Sequence, residues 1–98
     1  MYDYKNEYDL DTKLVLPKMS KVIMLNDDYT TQDFVIRILE EIFNKNTQEA
    51  TNIMLEIHNN GRGICGIYPY DIAQTKANIA RKKSKEAGFP LKTIVEAD

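Results

Sequence analysis

Residues 21–30, KVIMLNDDYT, decide the fold. A lysine and four apolar residues form Lys21–Leu25, a run that is typical of a strand buried in a sheet. Asn26, Asp27 and Asp28 then place a side-chain amide and two adjacent carboxylates where that strand ends. An acidic pair at the mouth of a hydrophobic core can hold a cation next to an apolar group. We therefore expect a strand, a turn that carries a binding site, and a helix.

The helix that follows this turn is predicted from its apolar face. Apolar residues recur at helical spacing over Phe34–Phe43, which predicts a wide stripe buried against the sheet. Thr30 and Asp33 have the spacing of a capping box, although Asp is shorter than the usual Glu or Gln. The helix is therefore expected to begin near Thr30 or Thr31.

A second helix is predicted by its two ends. Asn46 and Glu49 have capping-box spacing at its start, and the helical pattern continues to about Asn60. Gly61 follows at the position where a helix C-cap favours a residue with positive φ. These two signals predict a helix that ends directly before the next strand.

The rest of the chain predicts two strands and one helix. Ile64–Tyr68 is expected to be a short central strand. Pro69 suits the first turn of a third helix, which runs to Ala87 and stops at Gly88. Leu91–Val95 supplies a last strand. The order β-α-α-β-α-β predicts an α+β domain in which one small sheet is covered by helices.

The length and charge of the chain limit the classes of function that it can have. Ninety-eight residues make one domain, and a net charge of -2 gives no whole-chain attraction for nucleic acid. The basic run Arg81–Lys85 has no interleaved aromatic residue, so we interpret it as a solvated helix face.

Cys65 is the single cysteine, which suits a reducing compartment, and we expect a cytoplasmic protein. No apolar run approaches the roughly 20 residues of a membrane span, so no membrane partner is expected.

The first part of the chain differs from the rest. Residues 1–19 show no sustained apolar period, and Tyr2, Tyr4 and Tyr8 alternate with charged residues. Such a segment buries too little surface to offset its ordering entropy. We expect a flexible N-terminal extension over residues 1–19 and a folded core over residues 20–98. A frayed terminus and a tail that contacts a partner both fit this pattern.

A candidate site combines the acidic turn with the second helix. Met54, Ile57 and His58 stand at positions i, i+3 and i+4, so they share one helix face. Alone, these residues fit a core-filling pair and a hydrogen-bonded histidine at a helix end. Opposite the Asn26–Asp28 turn, they predict an apolar pit with a polar rim.

Metal binding and catalysis fit the pattern less well. Counted from Asp27, an EF-hand loop would need Gly at Gln32 and Glu at Ile38, so no metal is expected. A nucleophilic pair of Cys65 and His58 would make an enzyme, but Cys65 lies in an apolar strand, where a structural thiol is favoured. A protein–protein interaction module with a merely structural acidic turn remains the alternative function.

Four motifs in one order resemble the ClpS family, the bacterial adaptors that recognise N-degrons for the ClpAP protease. These motifs are LNDDYT at 25–30, ATNIMLEIH at 50–58, GICG at 63–66 and AQTK at 73–76. The resemblance covers about residues 20–96. It implies a three-stranded antiparallel sheet packed against three helices, and an adaptor that has no catalytic activity and no cofactor.

The resemblance also implies a two-part site. Asn26, Asp27 and His58 would hold the free α-amino group of a substrate, with Asp28 supporting the turn. Six further positions match the family's hydrophobic pocket for the first side chain, typically Phe, Tyr, Trp or Leu: Thr30, Gln32, Val35, Met54, Ile57 and Leu91. Gln32 replaces a methionine that helps gate the pocket in well-studied members of the family, so the preferred first residue is the least determined feature.

Partners follow from the same resemblance. Asp71 and Lys76 match positions implicated in docking to the N-domain of the AAA+ unfoldase, ClpA or ClpC. Residues 1–19 match the family's N-terminal extension, which engages the unfoldase during delivery. The expected partners are therefore N-degron substrates and a Clp unfoldase, and not nucleic acid or a membrane.

Overall fold

The computed structural model describes residues 18–98, which form a three-stranded antiparallel sheet packed against three helices. The elements are β1 (Met19–Leu25), α1 (Gln32–Phe43), α2 (Thr47–Asn60), β2 (Arg62–Pro69), α3 (Tyr70–Glu86) and β3 (Lys92–Ala97). The predicted order and the α+β class are confirmed. The predicted extension lies outside the described residues except at positions 18 and 19, and Met19 is the first residue of β1. None of the helices within residues 18–98 is long and apolar enough to cross a membrane.

β1, rather than β2, is the central strand of the sheet, whose order is β2-β1-β3. The prediction of a central strand at Ile64–Tyr68 is therefore wrong. Val22–Met24 are all buried, as expected for a strand covered on both faces, whereas Ile64 and Ile67 of β2 are exposed. An uninterrupted buried run marks the central strand here, and an alternating run marks the edge.

The predicted ends of α2 are confirmed. The side chain of Asn46 accepts a hydrogen bond from the Glu49 backbone N–H at 2.8 Å, and the Glu49 carboxylate accepts one from the Asn46 N–H at 2.9 Å. Gly61 ends the helix with a φ of 89°, a conformation that costs glycine little. These local contacts fix where the last turn of α2 lies.

The start of α1 differs from the prediction. Thr31 is the N-cap, and its hydroxyl accepts a hydrogen bond from the Phe34 N–H at 3.2 Å. Thr30 and Asp33 do not form the predicted capping box, because the Thr30 side chain is bonded to Asp27 instead. The turn before α1 is thus held by its own acidic residue.

α3 packs closely on the sheet because its inner face is made of small residues. Ala73, Ala77 and Ala80 are fully buried. The larger side chains of Ile72 and Ile79 lie on the outer face of α3 and are exposed. The helix therefore presents an apolar surface that no other described element covers.

Candidate functional site

A cavity of about 240 Å³ opens between the turn after β1, the start of α1 and the last turns of α2. Nine residues line it: Asn26, Asp27, Asp28, Thr30, Gln32, Val35, Met54, Ile57 and His58. All nine belong to the predicted site. The volume suits one large side chain better than a drug-sized ligand, which needs about 300–1,000 Å³.

A backbone hydrogen bond brings the two halves of the cavity together. The Asn26 N–H donates to the carbonyl of Gly61 at 2.9 Å, which joins the end of β1 to the end of α2. Met54 and Ile57 of α2 are buried, whereas His58 is exposed. The cavity therefore has an apolar floor and a polar rim.

Asp27 holds the turn that forms this rim. Its Oδ1 atom accepts hydrogen bonds from the backbone N–H groups of Tyr29 at 2.8 Å and Thr30 at 2.7 Å, and its Oδ2 atom accepts one from the Thr30 hydroxyl at 2.7 Å. Partial burial by itself would raise the pKa of Asp27, but the bonds from Thr30 and Tyr29 outweigh it and lower the pKa below 3.8. Both oxygens of Asp27 are therefore committed to the turn as an anion.

Asp28 has a different environment from its neighbour. Its side chain is exposed and lines the cavity, and no side chain or backbone group of residues 18–98 donates a hydrogen bond to its carboxylate. The resemblance assigns support of the turn to Asp28, whereas the structure shows Asp27 making the supporting bonds. Among residues 18–98, Asp28 is therefore the rim carboxylate that receives no hydrogen bond.

Leu91 is the one predicted pocket residue that does not line the cavity. It is buried, and it lines a separate hollow together with Tyr29 and Phe89. The Phe89 ring packs on the Phe34 ring, with centroids 4.8 Å apart, which fixes the loop before β3. Gln32, in contrast, is exposed at the cavity mouth.

Gly63 supports the cavity floor and was missed by the sequence analysis, although a glycine inside a strand often marks close packing. A Cβ at this position would lie 2.7 Å from Cγ1 of Ile57 and 3.3 Å from the carbonyl oxygen of Ile53. No larger residue fits between β2 and α2 without moving Ile57.

Gly63→Ala is expected to weaken both the fold and the cavity. Overpacking should lower the free energy of unfolding by about 1–3 kcal/mol, and the shift of Ile57 should lower ligand affinity. Gly61→Ala is the control, because it adds strain at positive φ but its Cβ would meet nothing within 4 Å. Urea unfolding and ligand titration compare the two variants. Equal ligand affinity in both would contradict the role of Gly63.

The predicted docking residues lie on α3, away from the cavity lining. Asp71 and Lys76 border a hollow of about 350 Å³ together with Ile72, Thr75 and Ile79. Asp71 is exposed in the first turn of the helix. The hollow thus combines two charged residues with the apolar outer face of α3.

Lys76 also joins α3 to α1. Its ammonium donates a hydrogen bond to the carbonyl of Ile42 at 2.7 Å, near the end of α1. It lies 5.2 Å from the Tyr68 ring centroid and 6.0 Å from the Phe43 ring centroid. A cation at the C-terminal end of a helix and over aromatic faces is favourable. Lys76 therefore has a structural role in addition to bordering the hollow.

Cys65 is unsuited to act as a nucleophile. Its side chain is fully buried, and burial raises the pKa of the thiol to about 12. The thiol is therefore protonated at neutral pH, whereas the nucleophilic form of cysteine is the thiolate. Within residues 18–98, no three His, Cys, Asp or Glu side chains come together as metal ligands would.

Comparisons with known proteins identify the family. The family described as "ATP-dependent Clp protease adaptor protein ClpS" matches residues 16–94. The ATP-dependent Clp protease adapter protein ClpS of Wolinella succinogenes is 52% identical over 94 residues, which cover 96% of this chain and 92% of that protein. The protein of the same name from Campylobacter jejuni is 55% identical over 87 residues, which cover 89% of this chain and 91% of that protein.

A solved structure agrees with these sequence matches. Agrobacterium tumefaciens ClpS2 bound to L-phenylalaninamide is similar with a TM-score of 0.82 and 38% sequence identity. The match covers 85% of this chain and 100% of that chain. The chain therefore belongs to the ClpS family, the adaptor proteins of the ATP-dependent Clp protease.

Proposed function

We propose that this protein binds the free α-amino group and the bulky hydrophobic first side chain of N-degron substrates, and delivers them to a Clp AAA+ unfoldase. The observation that carries the proposal is the cavity itself, in which a polar rim that carries the Asp28 carboxylate adjoins an apolar floor. The deciding experiment is a titration with two peptides that differ only in acetylation of the α-amino group.

The rim has the chemistry that an ammonium group requires. An α-ammonium has a positive charge and three N–H donors, so it needs acceptors and negative charge. Asp28 supplies the charge, and the side chains of Asn26 and His58, which line the same cavity, supply further acceptors. Asp27 contributes indirectly, because its oxygens hold the turn. We therefore assign the direct contact to Asp28.

The floor suits a large apolar side chain. Val35, Met54 and Ile57 are buried apolar residues that line the cavity. The ligand of the Agrobacterium tumefaciens ClpS2 structure, L-phenylalaninamide, carries a free α-amino group and a benzyl side chain. We propose Phe, Tyr, Trp and Leu as the first residues bound. Gln32 places an amide at the mouth, where it can change the ranking of these residues.

Neither half of the site suffices alone. Burying one large apolar side chain contributes about 1.5–3 kcal/mol, and each charge-assisted hydrogen bond to the ammonium contributes roughly 1.5–3 kcal/mol. Association costs at least about 4 kcal/mol. The apolar contribution falls short of this cost, and two hydrogen bonds exceed it by at most about 2 kcal/mol, so tight binding requires both a free amino group and a bulky first residue.

We further propose that the outer face of α3 docks on the N-domain of the unfoldase, ClpA or ClpC. Ile72 and Ile79 offer apolar contact, and Asp71 and Lys76 border the same hollow. The hydrolysis of substrate belongs to the protease, and no catalytic group is proposed for this chain. The cytoplasmic location remains a prediction from the sequence.

Ile72→Asp is expected to lower affinity for the unfoldase N-domain at least about tenfold, because it places a charge in the apolar part of the interface. Leu55→Asp is the matched control, since Leu55 is also an exposed apolar residue but lies on α2. Pull-down or calorimetry with the isolated N-domain measures docking, and peptide affinity should stay unchanged in both variants. Equal docking by both would place the docking surface elsewhere.

A further inference from the structure

A further hollow, of about 260 Å³, adjoins the cavity, because the two share Asn26 and Asp27 in their lining. Leu25, Pro90 and Lys92 complete the lining of this hollow, which we call the Lys92 hollow. The α3 hollow, in contrast, shares no residue with the cavity. The Lys92 hollow therefore extends the surface of the proposed amine site toward β3.

The register of the sheet places Lys92 beside the acidic turn. Lys92 is the first residue of β3 and pairs with Leu25, the last residue of β1. Asn26 follows directly, and its N–H donates to the carbonyl of Gly61 at 2.9 Å. Lys92 is thus attached to the same strand end that carries the rim of the cavity.

Asp27 does not pair with the charge of Lys92, although both residues line the hollow. Both Asp27 oxygens accept hydrogen bonds from donors within the turn. Within residues 18–98, the ion pair that forms is Arg62 with Glu96, not Asp27 with Lys92. Lys92 is exposed, and a lysine ammonium on its flexible four-carbon stem can reach a carboxylate at the opening of the hollow.

The geometry of a peptide brings its second residue to this hollow. When the cavity holds the first side chain and the rim holds its ammonium, the second Cα atom lies about 3.8 Å from the first. The second side chain therefore starts beside the rim, where Asn26 and Asp27 border both spaces. Leu25 and Pro90 offer apolar contact to the methylene groups of that side chain.

We propose that the Lys92 hollow receives the second side chain of the substrate and favours Glu or Asp there. The inference rests on the proposed function, because the bound amino group sets the position of the second residue. Lys92 then acts as a specificity-determining residue, and two substrate residues rather than one decide recognition. The preference is local, since the whole chain has a net charge of -2 and would disfavour an acidic peptide.

Fluorescence anisotropy with peptides that differ only at the second residue tests this subsite. A peptide that begins Phe-Glu should bind about two- to fivefold more tightly than one that begins Phe-Gln, the range expected for an exposed ion pair. High salt should remove the preference, because it screens exposed charges. Equal affinities of the two peptides at low salt would overturn the proposal.

Substitutions at Lys92 assign the preference to its ammonium. Lys92→Gln should bind the Phe-Glu and Phe-Gln peptides equally, and Lys92→Glu should prefer a peptide that begins Phe-Lys. Lys83→Gln is the matched control, because Lys83 is an exposed lysine of α3 that lines neither the cavity nor the Lys92 hollow. It should keep the preference of the unmodified protein. A preference for Phe-Glu that persists in Lys92→Gln would overturn the role of Lys92.

Acetylation of the Phe-Gln peptide separates this subsite from the proposed function. The free peptide should bind far more tightly than the acetylated one, both to the unmodified protein and to Lys92→Gln, since Lys92 does not hold the amino group. A large effect of acetylation without any preference for Phe-Glu would overturn the subsite alone. No effect of acetylation would reject the proposed function, and with it the placement of the second residue in the Lys92 hollow.

Discussion

A peptide that begins with an unblocked Phe should bind this protein at least about 100-fold more tightly than the same peptide with an acetylated amino group. Acetylation removes the positive charge and two of the three N–H donors that face the rim. Two charge-assisted hydrogen bonds are worth at least about 3 kcal/mol together, which corresponds to a factor of more than 100 in Kd. Fluorescence anisotropy with a label at the peptide's C-terminus measures both affinities.

The second half of the site needs its own control. A peptide that begins with an unblocked Ala keeps the ammonium but leaves the floor of Val35, Met54 and Ile57 unfilled, so it should also bind weakly. Equal affinities of the acetylated and free Phe peptides would reject amine recognition. That result would favour a general protein-interaction module in which the acidic turn is structural.

The two substitutions should affect different properties, although the two residues are adjacent and identical in type: Asp28→Ala should affect peptide affinity, and Asp27→Ala should affect the stability of the fold. Asp28→Ala is expected to lower affinity for the unblocked peptide at least about tenfold and to leave unfolding unchanged. Asp27→Ala removes three accepted hydrogen bonds and should lower the free energy of unfolding by about 1–2 kcal/mol. Urea unfolding and anisotropy on both variants give the comparison. An unstable Asp28→Ala and a stable Asp27→Ala would reverse the assignment.

The pH dependence of stability further distinguishes the turn-holding role of Asp27 from the proposed ligand-binding role of Asp28. Because the pKa of Asp27 is lowered below 3.8 in the folded state, its contribution is fully present above that value and is lost as pH falls through the lowered pKa. The difference in Tm between the unmodified protein and Asp27→Ala should therefore stay constant from neutral pH down to about pH 5, and it should narrow as the pH falls below 3.8. A difference that remains constant at those lowest pH values would mean that the Asp27 carboxylate does not hold the turn as an anion.

Local features of the fold could be predicted, and longer-range ones could not. The cap of α2 is a contact between Asn46 and Glu49, three residues apart, so both partners are visible in the sequence. The order of the strands depends on which strand is covered on both faces. The uninterrupted run Val22–Met24 contains that signal, but the short apolar run at Ile64–Tyr68 resembles it.

The candidate site also has features that the sequence predicts and features that it does not predict. Helical spacing places Met54, Ile57 and His58 on one face, and the structure brings that face to the acidic turn. Which of two adjacent Asp side chains points into a turn depends on backbone angles that no spacing specifies. The position of Leu91 depends on the path of a loop held by Phe89, and no periodic pattern describes such a loop.

The central position of β1 has a mechanical consequence for an adaptor that works beside an unfolding motor. β1 is hydrogen-bonded to β2 on one side and to β3 on the other, both antiparallel, along nearly its whole length. A pull on the residues before Lys18, directed along the strand, would load the bonds of both ladders in parallel. Shearing them demands far more force than peeling an edge strand one bond at a time. A pull on the N-terminal end of the chain should therefore leave the shape of the acidic turn unchanged, because this turn, the proposed amine-binding site, lies at the far end of β1.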